Sequence, residues 1–70
     1  MIFPLKELRE AKHLSQVRLA MDLNLSQNSI SRYETMEREA GYETLLRIAD
    51  YFHVSLDYLF GRTDKPDGNL

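Results

Sequence analysis

The sequence predicts an all-α fold of five short helices, and three observations carry that reading. Apolar residues recur at helical spacing throughout and no stretch alternates as a strand would. Three serines, Ser15, Ser26 and Ser55, each stand immediately before a periodic segment, where a hydroxyl can cap a helix. The chain has no cysteine, so no disulfide framework or thiolate metal site can substitute for helix packing. Seventy residues make one small domain near the size at which a single core suffices. The 43% hydrophobic content is enough for such a core, and no apolar run approaches membrane-spanning length. The opening Met-Ile-Phe-Pro is too short and uncharged for a signal peptide, so a cytoplasmic protein is expected.

The first helix is expected to start at Pro4, a good first-turn residue, and to run to about Lys12 with Leu5, Leu8 and Ala11 inward. Ser15 caps a second, about Gln16 to Leu23, burying Leu19, Ala20 and Leu23. Ser26 caps a third, about Gln27 to Glu34, whose apolar anchors are Ile30 and Tyr33. After a loop over residues 35–40, the fourth helix, about Tyr42 to Phe52, presents Tyr42, Leu45, Leu46, Ala49 and Phe52 as its apolar stripe. Ser55 caps a short last helix holding Leu56, Leu59 and Phe60. His13, Asn24 and His53 fall at three helix ends, where a left-handed residue commonly closes the last turn; His and Asn tolerate positive φ better than most residues. The domain is expected to span residues 1–61, with 62–70 a flexible tail or the start of a linker.

Net charge is −2, which argues against binding driven by overall basicity. The acid is uneven, however: residues 1–38 hold six Lys or Arg against five Asp or Glu, and the remainder three against six. Within the third helix no acid occurs from Ser26 to Tyr33, while Gln27, Asn28, Ser31 and Arg32 place amides, a hydroxyl and a guanidinium on one side. Those groups match base edges in the DNA major groove, and a carboxylate there would meet phosphate repulsion. Taken alone, the same residues would also read as a solvated helix face. His13 and His53 lack the companions and spacing of a metal site, so neither metal nor cofactor is expected. The four tyrosines recur at helical spacing and read as core or interface rather than base-stacking platforms. No nucleophile elbow, phosphate-cradling glycine loop or acid–base constellation suggests an enzyme.

The segments Leu-Lys-Glu-Leu-Arg-Glu (5–10), Leu-Ser-Gln (14–16), Leu-Ala (19–20), Leu-Ser-Gln (25–27), Ile-Ser-Arg-Tyr-Glu (30–34), Glu-Thr-Leu-Leu-Arg-Ile-Ala (43–49) and Val-Ser-Leu-Asp-Tyr-Leu-Phe-Gly-Arg (54–62) occur in order. Together they resemble the xenobiotic-response-element type of helix-turn-helix protein, the family of phage repressors and Cro proteins. The resemblance implies a compact, lambda-repressor-like five-helix bundle that binds double-stranded operator DNA as a homodimer. It implies a transcriptional regulator, expected to be a repressor, on an inverted repeat with the third helix in the major groove. Gln27, Asn28, Ser31 and Arg32 would then read bases, while Gln16, Ser26 and Ser29 would hold the DNA backbone. Arg9 and Glu34 would form a partly buried ion pair tying the first helix to the end of the third; otherwise they are two unrelated surface charges.

The loop departs from the family pattern. Thr35 and Met36 stand where Asn-Gly is common, and Glu37 and Glu39 flank Arg38, the best backbone candidate in that segment. The apolar content of the last helix points to Leu56, Tyr58, Leu59 and Phe60 as the dimer interface, with burial in the monomer's own core as the other reading. The main alternative function is a helix-turn-helix protein-interaction module such as an antitoxin component.

Overall fold

The computed structural model describes residues 3–61. The expected tail, residues 62–70, lies outside the described residues. Five helices follow in order: α1 (Leu5–Ala11), α2 (Gln16–Leu23), α3 (Gln27–Glu34), α4 (Tyr42–Phe52) and α5 (Leu56–Leu59). No strand occurs among the described residues. Pro4 occupies the cap of α1 rather than its first turn, and Lys12 is its C-cap. Three serines cap as their sequence positions suggest. Ser15 Oγ accepts from the Arg18 N–H at 3.0 Å, Ser26 Oγ from the Ser29 N–H at 3.1 Å, and Ser55 Oγ from the Tyr58 N–H at 3.0 Å. Each bond satisfies an amide that the first turn would otherwise leave without a partner.

The core gathers one stripe from every helix. Leu5, Leu19, Ile30, Ile48 and Leu59 are completely buried, joined by Ala20, Leu23, Tyr33, Ala49 and Phe52. Leu8 packs against this cluster, whereas Ala11 is exposed, so α1 turns only its first part inward. The stripe of α4 differs from the expected one. Tyr42 is 72% exposed and Leu46 is 37% exposed, while Ile48 is fully buried. The inward set is Ile48, Ala49 and Phe52, with Tyr51 packed beside them, and Leu45 one turn earlier is half-buried. Tyr42 and Leu46 lie on the flank of that stripe.

The last helix also requires a correction. Leu59 has no exposed surface and cannot contribute to a dimer interface, because α5 is short enough for its central apolar residue to plug the bundle. Leu56 packs partly against the same core, and Tyr58 and Phe60 are half-buried.

Four helix ends close in one way. His13, Asn24, Met36 and His53 adopt φ of 58°, 57°, 63° and 56°. At each end the next residue's N–H reaches back to the last turn: Leu14 to Arg9 O at 3.1 Å, Leu25 to Ala20 O at 2.8 Å, Glu37 to Arg32 O at 2.9 Å, and Val54 to Ala49 O at 3.0 Å. These are Schellman closures, which usually use glycine. In three of them the following residue is apolar, and Leu14, Leu25 and Val54 all pack on the core. The joint is therefore a covalent spacer that delivers a hydrophobic residue inward immediately after a helix stops.

Polar straps tie α4 to α2. Arg47 Nη2 donates to the Leu23 carbonyl at 2.5 Å, and Tyr51 Oη donates to Asp22 Oδ2 at 2.6 Å. The Tyr51 hydrogen bond, with help from Arg18, holds the Asp22 carboxyl below its ordinary range, and the same bond pushes the Tyr51 hydroxyl up.

A β-carbon in the left-handed region costs about 1–2 kcal/mol, partly offset by the unfolded-state freedom of glycine. His13→Gly and His53→Gly, both at exposed positions, should each stabilise by about 0.5–1 kcal/mol, a rise of several degrees in Tm for a domain of this size. Asn24→Gly should gain less, because Asn tolerates this conformation. Thermal melts of the three variants check the ordering.

Candidate nucleic-acid interface

The sequence of α3, Gln-Asn-Ser-Ile-Ser-Arg-Tyr-Glu, contains few strong helix formers. An isolated helix of eight such residues would not persist in water. Tertiary contacts hold it. Ser26 caps its start, Ile30 and Tyr33 are buried in the core, and Glu34 anchors its last turn to α1. Residues 28 and 32 lie four apart and residues 27 and 31 likewise, so each pair shares a side of the helix. Gln27, Asn28 and Arg32 are exposed there, and Ser31 is half-buried beside them.

The anchor is a bidentate ion pair. Arg9 Nε donates to Glu34 Oε2 at 2.6 Å and Arg9 Nη2 to Glu34 Oε1 at 3.2 Å. Only 11% of the Arg9 side chain and 4% of the Glu34 side chain remain accessible. Arg9 Nη1 also donates to the Leu14 carbonyl at 2.7 Å, fixing the turn that leads into α2. The Glu34 hydrogen bond drives the Arg9 guanidinium still further from deprotonation, against the effect of burial. Gln16 then joins: its Nε2 donates to Glu34 Oε1 at 3.1 Å, and its Oε1 accepts from Gln27 Nε2 at 3.4 Å. One chain of contacts therefore runs from α1 through Glu34 and Gln16 to the first residue of α3. No buried side-chain polar atom among the described residues lacks a partner.

The other flank of α3 carries the serine cluster. The Ser26 hydroxyl donates to Ser29 Oγ at 3.0 Å, and Arg38 Nη1 approaches the same Oγ at 3.5 Å. The Arg38 guanidinium lies 5.8 Å from the Tyr33 ring centre, within cation–π range. Arg38 is thus held against the foot of α3 although it belongs to the loop. Glu37 is occupied nearby, its Oε2 accepting from the Thr35 hydroxyl at 3.1 Å. Sequence reasoning missed the Gln16–Gln27 coupling and the left-handed Met36. The second had a visible signal, since Met36 stands where the family pattern places glycine after the helix. Leu56 and Tyr58 belong to α5, and Phe60, its C-cap, lines a groove together with Met36 and Arg38. Among the described residues no group of three or more His, Cys, Asp or Glu comes together as a metal site would require.

Comparison with known proteins shows the family of the bundle. A helix-turn-helix family model matches residues 5–59, the whole bundle from α1 to α5. The chain belongs to the Cro and phage-repressor type of helix-turn-helix proteins. It is 37% identical over 65 residues to the HTH-type transcriptional regulator ImmR of Bacillus subtilis, covering 93% of this chain and 51% of that protein. It is 33% identical over 63 residues to the uncharacterized HTH-type transcriptional regulator YobD of the same organism, covering 90% and 56%. A third relative there, the uncharacterized HTH-type transcriptional regulator YqaE, is 40% identical over 55 residues, covering 79% and 47%. The chain therefore spans about half the length of the curated relatives it matches. No solved structure matches it at comparable significance.

The buried pair generates a sharp expectation. Removing one partner of such a pair leaves the other charge uncompensated and costs about 3–5 kcal/mol, a large share of the roughly 4–10 kcal/mol ordinary for this length. Glu34→Gln should lose about 3 kcal/mol in denaturant unfolding, while Arg9→Leu combined with Glu34→Leu should lose much less than the two single changes added together. Additive losses would show that the two side chains act independently.

Proposed function

We propose that this domain is a sequence-specific DNA-binding module of a transcriptional regulator, acting as a repressor and binding an inverted-repeat operator as a homodimer. In this reading α3 enters the major groove, Gln27, Asn28 and Arg32 meet base edges, and Ser31 assists from its half-buried position. Gln16, Ser26, Ser29 and Arg38 face the phosphates, which use hydroxyls, amides and guanidinium groups for positioning. One observation carries the reading: α3 exposes Gln27, Asn28 and Arg32 on an acid-free face, and its terminal acid, Glu34, is withdrawn into an ion pair. The regulator names of the Bacillus subtilis relatives support it. A dimer would place half-site centres about 34 Å, or roughly 10 bp, apart. The largest extent of the domain, 32 Å, suits two copies side by side on one face of DNA.

A second reading, a protein-interaction module such as an antitoxin component, draws on Val17 and Met21. These are 49% and 70% exposed and lie i, i+4 on α2. One assay separates the two. A bidentate contact to the correct base is worth about 1–3 kcal/mol. In electrophoretic shifts, Gln27→Ala with Arg32→Ala should therefore weaken specific binding by at least about tenfold and erase preference over competitor DNA. It should leave any partner-protein complex intact. Retained sequence preference in the double variant would remove α3 as the reader. The net acidic chain should also show a shallow salt dependence, since each neutralised phosphate adds about −0.9 to the log–log slope.

A further inference from the structure

Three of the large hydrophobic residues that the bundle leaves exposed, Met36, Tyr42 and Leu46, occur beyond α3, on the loop and on α4. Met36 lines a groove of about 260 Å³ together with the apolar Phe3, Leu45 and Phe60 and the charged neighbours Arg38 and Glu39, while Tyr42 and Leu46 are near neighbours of lining residues along the chain. Tyr42, which carries the most exposed aromatic ring of the described chain, stands one helical turn before Leu45 and two residues after Ala40, both lining residues, so it neighbours the groove along the chain. A protruding ring beside a recess is the geometry of a self-complementary contact. A two-fold axis converts one such pair into two, each copy's ring filling the other's recess.

We propose that this groove is the dimer interface and that its occupant is Tyr42 of a second copy of this chain. The proposal rests on the dimeric DNA-binding reading above; it keeps Phe60 from the expected interface and replaces Leu56, Tyr58 and Leu59 by the loop after α3 and the start of α4. Charge favours a second copy. Arg38 and Glu39 both line the groove, so a second copy brings an arginine and a carboxylate of its own, and the proposed two-fold contact pairs each Glu39 with the other copy's arginine. A guanidinium has five N–H donors, enough to meet that carboxylate and a phosphate together. Glu39, an acid out of place beside a phosphate rail, thereby acquires a counter-charge.

Area favours it too. Two tyrosines burying about 150–250 Å² each supply a substantial part of the roughly 1,200 Å² at which specific interfaces begin. Met36 and Leu46 extend the patch on both copies. Position agrees as well: the loop follows α3 directly, so contact there joins two domains beside the ends of their reading helices and leaves Asn28 and Arg32 uncovered.

Sedimentation of the chain without DNA tests the interface. The wild type should show a concentration-dependent dimer, and Tyr42→Asp and Glu39→Arg should each raise its dissociation constant at least about tenfold, the loss of roughly one strong contact. Met21→Asp, on α2, should leave it unchanged. In a mixed isotope-labelled sample, intermolecular contacts should connect the Tyr42 ring with Phe3 and Phe60. A wild type that stays monomeric at all concentrations, a dimer indifferent to Tyr42→Asp, or one abolished by Met21→Asp would overturn the proposal. Tyr42→Asp should still bind a single half-site duplex with wild-type affinity, and loss of that binding would also overturn it, by making Tyr42 a DNA contact. A dimer with the expected sensitivities that binds no DNA would instead defeat the functional reading and leave the interface standing.

Discussion

The bidentate pair between Arg9 and Glu34 is the constraint on which the rest of this small domain depends. It joins α1 to the end of α3, and through Arg9 and the Leu14 carbonyl it sets the turn into α2. Burying two charges is unfavourable unless each finds full compensation. Here both Glu34 oxygens accept and all three nitrogen positions of the Arg9 guanidinium donate. An apolar pair of similar volume could hold α1 to α3 as firmly. It could not offer Gln16 an acceptor, and Gln16 transmits the position of Glu34 to Gln27. The ion pair thus contributes geometry at the first residue of α3 as much as stability.

The same pair resolves a difficulty in the charge pattern. A net-acidic chain has to keep carboxylates away from phosphates. Glu34 is covered by Arg9 and Gln16, and Glu37 is engaged by Thr35. Asp22 is bound by Arg18 and by Tyr51 from α4. The bases that remain near α3, Arg32 and Arg38, then act at short range even though the domain's overall field is weak. The left-handed joints serve a related end. Each stops a helix abruptly and, in three of four cases, sends the next residue into the core. At the fourth the following residue is Glu37, so the loop after α3 leaves the core and returns with Ala40.

Much of this was legible in the sequence because it is governed by local chemistry. The serine caps placed the starts of α2, α3 and α5, and His13, Asn24 and His53 marked joints that must tolerate positive φ. What was not legible depends on rotation of whole helices. The apolar residues of α4 admit two overlapping stripes, one through Tyr42 and Leu46 and one through Ile48, and only its packing against α2 and α5 selects between them. Leu59 looked like surface because a four-residue helix carries too few positions to reveal which way it faces. Met36 went unnoticed as a left-handed residue because methionine carries no turn propensity; the only sign was the missing glycine.

The central claim is that a braced α3 reads bases through Gln27, Asn28 and Arg32. Selection of bound sequences from a random DNA pool, run in parallel on the wild type and on Gln16→Ala, tests it most directly. The account predicts that the wild type enriches an inverted repeat with half-site centres about one helical turn apart. It predicts that Gln16→Ala keeps the spacing but loses preference at the base pair met by Gln27. Failure of the wild type to enrich any sequence, or identical preferences in the two proteins, would contradict it.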